Sequence, residues 1–210
     1  MTDQIKTFEN SHGRRSDLKI VEGEKVKRGF EGDKMHVYAN LFRGRKTRKV
    51  PMFMKTQENQ DEDFHVSEID VQSVLSKHKL LQDKGFPVVP TLRIDKKNKR
   101  ILMTDVTEGG GKEIYDLHDY EKSVPRFINS GQLVEDVNRI GNEAFVQGVI
   151  LSVSAYSIIY DRVKHEGKVM LLDLGEVFTP DEFGSGYDQK KFVKDGILEF
   201  LKIMNLETDE

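Results

Sequence analysis

The chain has 210 residues, 33 basic and 36 acidic side chains and a formal net charge of −3 at pH 7, and 37% of its residues are hydrophobic. That length suits one domain, or two small lobes around a shared cleft, and the near balance of charge argues against a bulk nucleic-acid or membrane-surface binder. Cysteine is absent, which excludes disulfides, thiolate chemistry and cysteine-ligated zinc, while twelve phenylalanines supply large apolar side chains for a core.

The opening stretch MTDQIKTFENSHGRR is polar. It predicts a flexible tail over 1–17 and no signal peptide. No run approaches the ~18 apolar residues of a membrane span, so the expectation is a soluble, cytoplasmic protein. From Leu18 to Lys55 the pattern is strand and turn: LKIVEGEKV, the glycine-bearing RGFEGDK, MHVYANLF, a basic turn from Arg43 to Lys49, then VPMFMK. Strands joined by polar turns read as hairpins. Within VPMFMK, alternation puts Met52 and Met54 on one face and Pro51, Phe53 and Lys55 on the other. The acidic stretch QENQDED, 57–63, leads into a helix predicted over 66–84. There Val71, Val74, Leu75, Leu80 and Leu81 follow helical spacing, and Gly85 and Pro87 mark the end. VVPTLRID and RILMTDV then read as two strands about the turn 95–99. Gly109-Gly110-Gly111 removes side-chain constraint and marks a boundary.

Beyond the glycines the pattern changes. Leu133, Val137, Ile140 and Ala144 share one face of a helix predicted over 132–147. The apolar runs Ser157–Tyr160 and Val169–Leu172 pair as a hairpin through the polar turn 161–167. A last helix, 188–204, turns Val193, Ile197, Phe200, Leu201 and Met204 inward. Strands, helix, strands, glycines, helix, hairpin, helix is an α+β order. It divides the chain into a sheet-rich part at 18–106, a glycine hinge at 107–111 and a helical part at 112–210.

Several residues carry candidate chemistry. In GKVMLLDLGEVF, four apolar residues, Val169 to Leu172, read as a buried strand running into Asp173. That aspartate is either a turn-former or a charge presented at a strand end. Lys55 lies at a strand end as well. Glu68 shares a helical face with Val71 and Leu75. An inward carboxylate needs a partner, and Lys55 is close enough in sequence to supply one. Asp70, aligned with Val74 and Leu81, is the alternative, and either acid could instead favour the helix N-terminus. Gly29 and Gly32 flank a turn that can bring backbone N–H groups to phosphate oxygens; an ordinary hairpin turn is the plainer use. The basic turn 43–49 can touch nucleic-acid phosphates, but it lacks interleaved aromatics and fits a solvated hairpin tip better. The six histidines show no ligand-like pairing, so no transition-metal site is expected.

Taken in order, these segments resemble the protein-kinase-like fold, including its small RIO-type and aminoglycoside-phosphotransferase-like members, over 18–205. The resemblance implies two lobes: an N-terminal antiparallel sheet with one helix, and a short helical C-lobe. GFEG followed by VYA resembles the glycine loop, with Gly29 and Gly32. PMFMK resembles the strand that ends in the nucleotide lysine, Lys55, with Glu68 as its helical partner. RILMTDV resembles the hinge strand, which places Met103 and Asp105 near an adenine. Asp173-Leu174-Gly175 resembles the Asp-Phe-Gly motif. The implied cofactor is ATP with Mg²⁺: the lysine positions phosphates and the aspartate holds the metal that bridges them.

One segment departs from the pattern. GVILSVSAYS, from Gly148 to Ser157, contains no Asp, Asn or His. Ser152 stands at the position of the catalytic Asp and Ser157 at that of the metal-binding Asn. The nearest acid, Asp161, sits in the hairpin turn, where turn formation explains it. Losing a positioned base costs about 10²–10⁴-fold in rate. The resemblance therefore implies a pseudokinase that keeps a nucleotide and Mg²⁺ site and acts through a protein partner. One alternative is an atypical phosphotransferase or nucleotidyl-transferase with non-standard catalytic residues. Another is an unrelated α+β binding domain in which Asp173 is only a turn residue.

Overall fold

In the computed structural model, which describes residues 4–10, 12–29, 32–43, 46–56, 70–107, 111–117, 124–184, 186 and 188–206, the chain is a mixed α+β protein built on antiparallel sheets. It divides into two compact units, Met1–Asp83 with Val89–Gly109 and Lys84–Val88 with Gly110–Glu210.

The first unit is built on period-two alternation. Strands β1 (Gln4–Asn10), β2 (Arg15–Gly29), β3 (Gly32–Arg43), β4 (Lys46–Thr56), β5 (Leu92–Asp95) and β6 (Arg100–Thr104) form a closed barrel in the order β1-β2-β3-β4-β6-β5. Every pairing is antiparallel, and β1 against β5 completes the ring through Glu9↔Ile94 and Asn10↔Arg93. Phe8, Leu18, Val37, Met52, Met54 and Leu102 form its apolar cluster. Met52 and Met54 are buried while Pro51 is exposed, the alternation expected of VPMFMK.

The expectation of a flexible tail over 1–17 is corrected here, because Gln4–Asn10 is a strand hydrogen-bonded on both sides. Its anchor is Phe8, which is 0% exposed. Burying one such ring contributes about 1.5–3 kcal/mol, and closing the barrel removes the two open edges that a sheet would present.

Helix α1 (Val71–Asp83) buries Val71, Val74, Leu75, His78 and Leu81, while Leu80 is only half-buried. Asp70 starts it: the Gln72 N–H donates to Asp70 Oδ1 at 2.9 Å and the Val74 N–H to the Asp70 carbonyl at 3.0 Å. Gly85, at φ +79°, follows its end. The acidic stretch 57–63, Glu68, Gly109 and Gly110 lie outside the described residues.

The second unit holds β7 (Lys112–Asp116), α2 (Ser130–Val146), β8 (Ile150–Leu151), β9 (Tyr156–Asp161), β10 (Glu166–Leu171), β11 (Val177–Phe178), α3 (Pro180–Phe183) and α4 (Gln189–Ile203). A three-stranded antiparallel sheet runs β10-β9-β7, and β8 pairs with β11. Leu133, Val137, Ile140 and Ala144 on α2, with Val193, Ile197, Phe200 and Leu201 on α4 and Met204 just past its end, are all buried. The helices meet at Gly141, where a Cβ would lie 2.5 Å from Ile197 Cδ1 and 2.7 Å from the Tyr156 hydroxyl. The start of α2 is fixed to the hairpin by Asn129, whose amide donates to the Gly167 carbonyl at 2.8 Å and accepts the Gly167 N–H at 2.9 Å. No helix among the described residues is long and apolar enough to cross a membrane.

Candidate functional site

The β9–β10 hairpin delivers Asp173. Leu171 ends β10, and Leu172 and Asp173 lead into the 3₁₀ turn Leu174–Glu176 and then β11. Because β11 pairs with β8 through Val177↔Leu151 and Phe178↔Ile150, the Asp173 segment runs beside the Gly148–Ser157 segment. Two more backbone hydrogen bonds join them: the Ser152 N–H to the Glu176 carbonyl at 3.2 Å, and the Leu172 N–H to the Ala155 carbonyl at 3.2 Å. The two segments where the kinase-like resemblance puts its metal motif and its degenerate catalytic loop are thus neighbours in one unit.

Asp173 takes the turn-forming role open to it in the sequence. It stands just past a strand whose Val169, Met170 and Leu171 are buried, and its Oδ1 accepts the Gly175 N–H at 3.2 Å, capping the 3₁₀ turn. Its Oδ2 bonds to no described residue, and no Lys or Arg among the described residues pairs with it.

Ser152 is 5% exposed and is held from several sides. It caps the 3₁₀ turn Val153–Ala155, accepting the Ser154 N–H at 3.3 Å. Its hydroxyl donates to Glu176 Oε2 at 3.1 Å and lies 2.8 Å from Ser154 Oγ. A carboxylate only accepts, and a hydroxyl has one proton to give. With that proton on Glu176, the contact between the serines runs from the Ser154 hydroxyl to Ser152 Oγ. The result is an ordered chain, Ser154 to Ser152 to Glu176. Glu176 is half-buried and pairs with no Lys or Arg among the described residues.

Glu176 was not among the residues the sequence pointed to. The sequence pattern points to Gly148–Ser157 for an acid, whereas this one comes from 24 residues downstream of Ser152. The faint signal was its place directly after Asp173-Leu174-Gly175.

The other candidates are spread over the two units. Ser157 is buried in the middle strand of its sheet, in register with Met170 and Asp116, and so lies in β9 rather than in the turn with Ser152. Asp161 accepts the Val163 and Lys164 N–H groups at 3.0 and 3.1 Å. Those backbone donors, Lys164 foremost, hold its carboxyl below the ordinary value, as befits a turn residue. In the barrel, Gly29 and Gly32 pair across the β2–β3 tip; Phe30 and Glu31 lie outside the described residues. Lys55, whose backbone alone is described, is in register with Lys34 and Ile101 near the end of β4. Met103 is half-buried in β6, in register with Phe53 and Leu92. Asp105 is 5% exposed, and its Oδ1 accepts the Thr107 N–H at 2.9 Å and hydroxyl at 2.5 Å. Asp70 takes up the helix-start role, and no group of three or more His, Asp or Glu suited to a metal ion occurs among the described residues.

Compared with known proteins, the chain matches no protein-family model and no curated protein sequence.

Proposed function

We propose that the chain is a two-lobed, kinase-like protein that binds ATP with Mg²⁺ and acts through a protein partner, without ordinary phosphotransfer. The observation that supports this reading is the stitching of the Ser152 segment to the Asp173 segment by the β8–β11 pair and the Ser152–Glu176 and Leu172–Ala155 hydrogen bonds. That adjacency follows from the β9–β10 hairpin, and it sets Asp173 beside the stretch that the resemblance assigns to the catalytic loop. Asp173, with one oxygen unused by the described residues, would hold the metal. Lys55 would hold phosphates, Glu68 would be its partner, and Gly29, Gly32, Met103 and Asp105 would lie near the nucleotide, as the resemblance assigns them.

The Ser152–Glu176 contact favours a second reading. The loop lacks an acid of its own, but Glu176 accepts a hydrogen bond at 3.1 Å from Ser152, the residue that the resemblance aligns with the missing acid. That supports an atypical phosphotransferase over a catalytically empty scaffold.

Thermal unfolding with and without ATP and Mg²⁺ tests the binding claim common to both. A ligand that binds only the folded chain raises its stability, by about 2.7 kcal/mol at 100 times Kd. The proposal expects a Mg²⁺-dependent rise in the parent that is lost in Lys55→Ala. No rise at millimolar ATP would overturn it and leave a binding domain in which Asp173 only shapes a turn.

A further inference from the structure

We infer that the barrel face formed by β2, β3 and β4 binds single-stranded nucleic acid, with lysines on the phosphates and aromatic residues on the bases. The inference lies wholly within the first unit and does not rest on the nucleotide reading above. The net charge of −3 conceals a local excess, because residues 15–56 hold twelve basic and five acidic side chains. Charge asymmetry of this kind within one chain points to a polyanionic partner.

Backbone register sets where those charges stand. Pro51 is exposed, whereas Val37, Met52 and Met54 are buried, so the positions that alternate with the buried ones make up the outward face of β3 and β4. On that face Asn40 is in register with Lys19 on one side and Lys49 on the other, and Lys34 with Lys27 and Lys55. Each of these two rows crosses all three strands. Between them lie His36 opposite Phe53 and Tyr38 opposite Pro51, and Phe42 stands just beyond, opposite Thr47. The basic turn 43–49 has no aromatic of its own, but register places Lys49 between the Tyr38 and Phe42 rows. No Asp or Glu stands at the paired positions of this face. Like charges directly opposite one another oppose folding, and the row Lys27–Lys34–Lys55 repeats that cost across three strands; a polyanion laid over it offsets the cost.

The spacing fits a polynucleotide. Lys34 and Asn40 are six residues apart on β3, about 20 Å at the rise of a strand, a length suited to the roughly 4–16 nucleotides that a small barrel holds. Phosphates meet the two lysine rows, and the bases between them meet His36, Tyr38 and Phe53. A duplex turns its base faces inward, so only the lysines would act on it, whereas unstacked bases use the aromatic rows as well. Helix α1 packs on β5, which lies across the ring from β3, and so leaves this face to the strands.

Fluorescence anisotropy of labelled oligothymidylate and oligouridylate with the full chain tests the inference, beside the matching duplex and a polyglutamate competitor. The expected result is a preference for single strands, with the logarithm of the binding constant falling by about 3 per decade of salt, as for about four neutralised phosphates. Lys34→Gln with Lys49→Gln should reduce that slope by about 1.4. Tyr38→Ala should weaken binding about 5-fold or more, and Tyr38→Phe, which keeps the ring, should restore it. Urea midpoints of the variants, read against the parent, separate loss of contact from loss of fold. No binding at low salt would overturn the inference. So would equal affinity for duplex and single strand, affinity untouched by Tyr38→Ala in a folded chain, or ready displacement by polyglutamate, which would mark a surface that responds to negative charge alone.

Discussion

Tyr156 follows directly on the Ser152–Ala155 turn, is fully buried, and has no hydrogen-bond partner for its hydroxyl among the described residues. Its ring lies against Phe200, with centroids 5.3 Å apart, and burial pushes the phenol well above its ordinary value. A buried, unsatisfied hydroxyl costs about 1–3 kcal/mol. Tyr156→Phe keeps the ring and removes only that hydroxyl, so it should raise stability by about 1–2 kcal/mol. The same hydroxyl explains Gly141, whose added Cβ would sit 2.7 Å from it and 2.5 Å from Ile197 Cδ1. Gly141→Ala improves helix propensity by about 1 kcal/mol but overpacks the site at about 1–3 kcal/mol, a net loss of about 1 kcal/mol. In the Tyr156→Phe background the new methyl no longer meets the hydroxyl, and only Ile197 obstructs it, through Cδ1 at 2.5 Å and Cγ1 at 2.9 Å. The loss should then shrink, a coupling of about 0.5–1 kcal/mol. Urea unfolding of the parent, both single variants and the double variant reads all four values. At an m of about 1–3 kcal/mol/M, the gain from Tyr156→Phe is a midpoint shift of about 0.5–1 M with m unchanged. A loss of stability in Tyr156→Phe, or two substitutions that simply add, would refute the reasoning.

Three further outcomes follow from the packing. Phe8→Ala should cost about 3–5 kcal/mol, read by urea unfolding, whereas a residue in a tail would leave the midpoint where it was. Gly167→Ala puts a Cβ 2.8 Å from Ile158 Cγ2 and Leu133 Cδ1 and should cost about 1–3 kcal/mol, read by the same assay as a midpoint below that of the parent. His78 is 1% exposed, lies 2.8 Å through Nε2 from the Val89 carbonyl, and is held by burial below its ordinary value of 6.5. Below pH 6.5 the unfolded chain takes up a proton that the folded site resists, so this contribution to stability is full above 6.5 and falls as the pH drops. His78→Gln should flatten that slope, and an unchanged slope would count against it.

Periodicity revealed what local spacing determines. The inward faces of α2 and α4 repeat at helical intervals over about three turns, so Leu133 to Ala144 and Val193 to Met204 could be read directly. The β9–β10 hairpin was equally plain, because two apolar runs flank a polar turn. Barrel closure was not, since β1 carries its fixed anchor on Phe8 within a polar stretch, and its pairing with β5 joins residues far apart in sequence. Strand β7, Lys-Glu-Ile-Tyr-Asp, was hidden for a related reason: its polar ends mask a single buried residue, Tyr115. The candidate site divides the same way. Asp173 was visible because an apolar strand runs into it. Glu176 was not, because its meeting with Ser152 is a product of the β8–β11 pairing rather than of local sequence.

The most direct measurement of the central claim is calorimetric titration of the chain with ATP, in the presence and absence of Mg²⁺, for the parent and for Asp173→Asn. The account predicts binding that needs Mg²⁺ in the parent and is lost in Asp173→Asn, whose amide retains an oxygen to cap the 3₁₀ turn. Nucleotide binding of equal strength in both, or none in the parent, would contradict it.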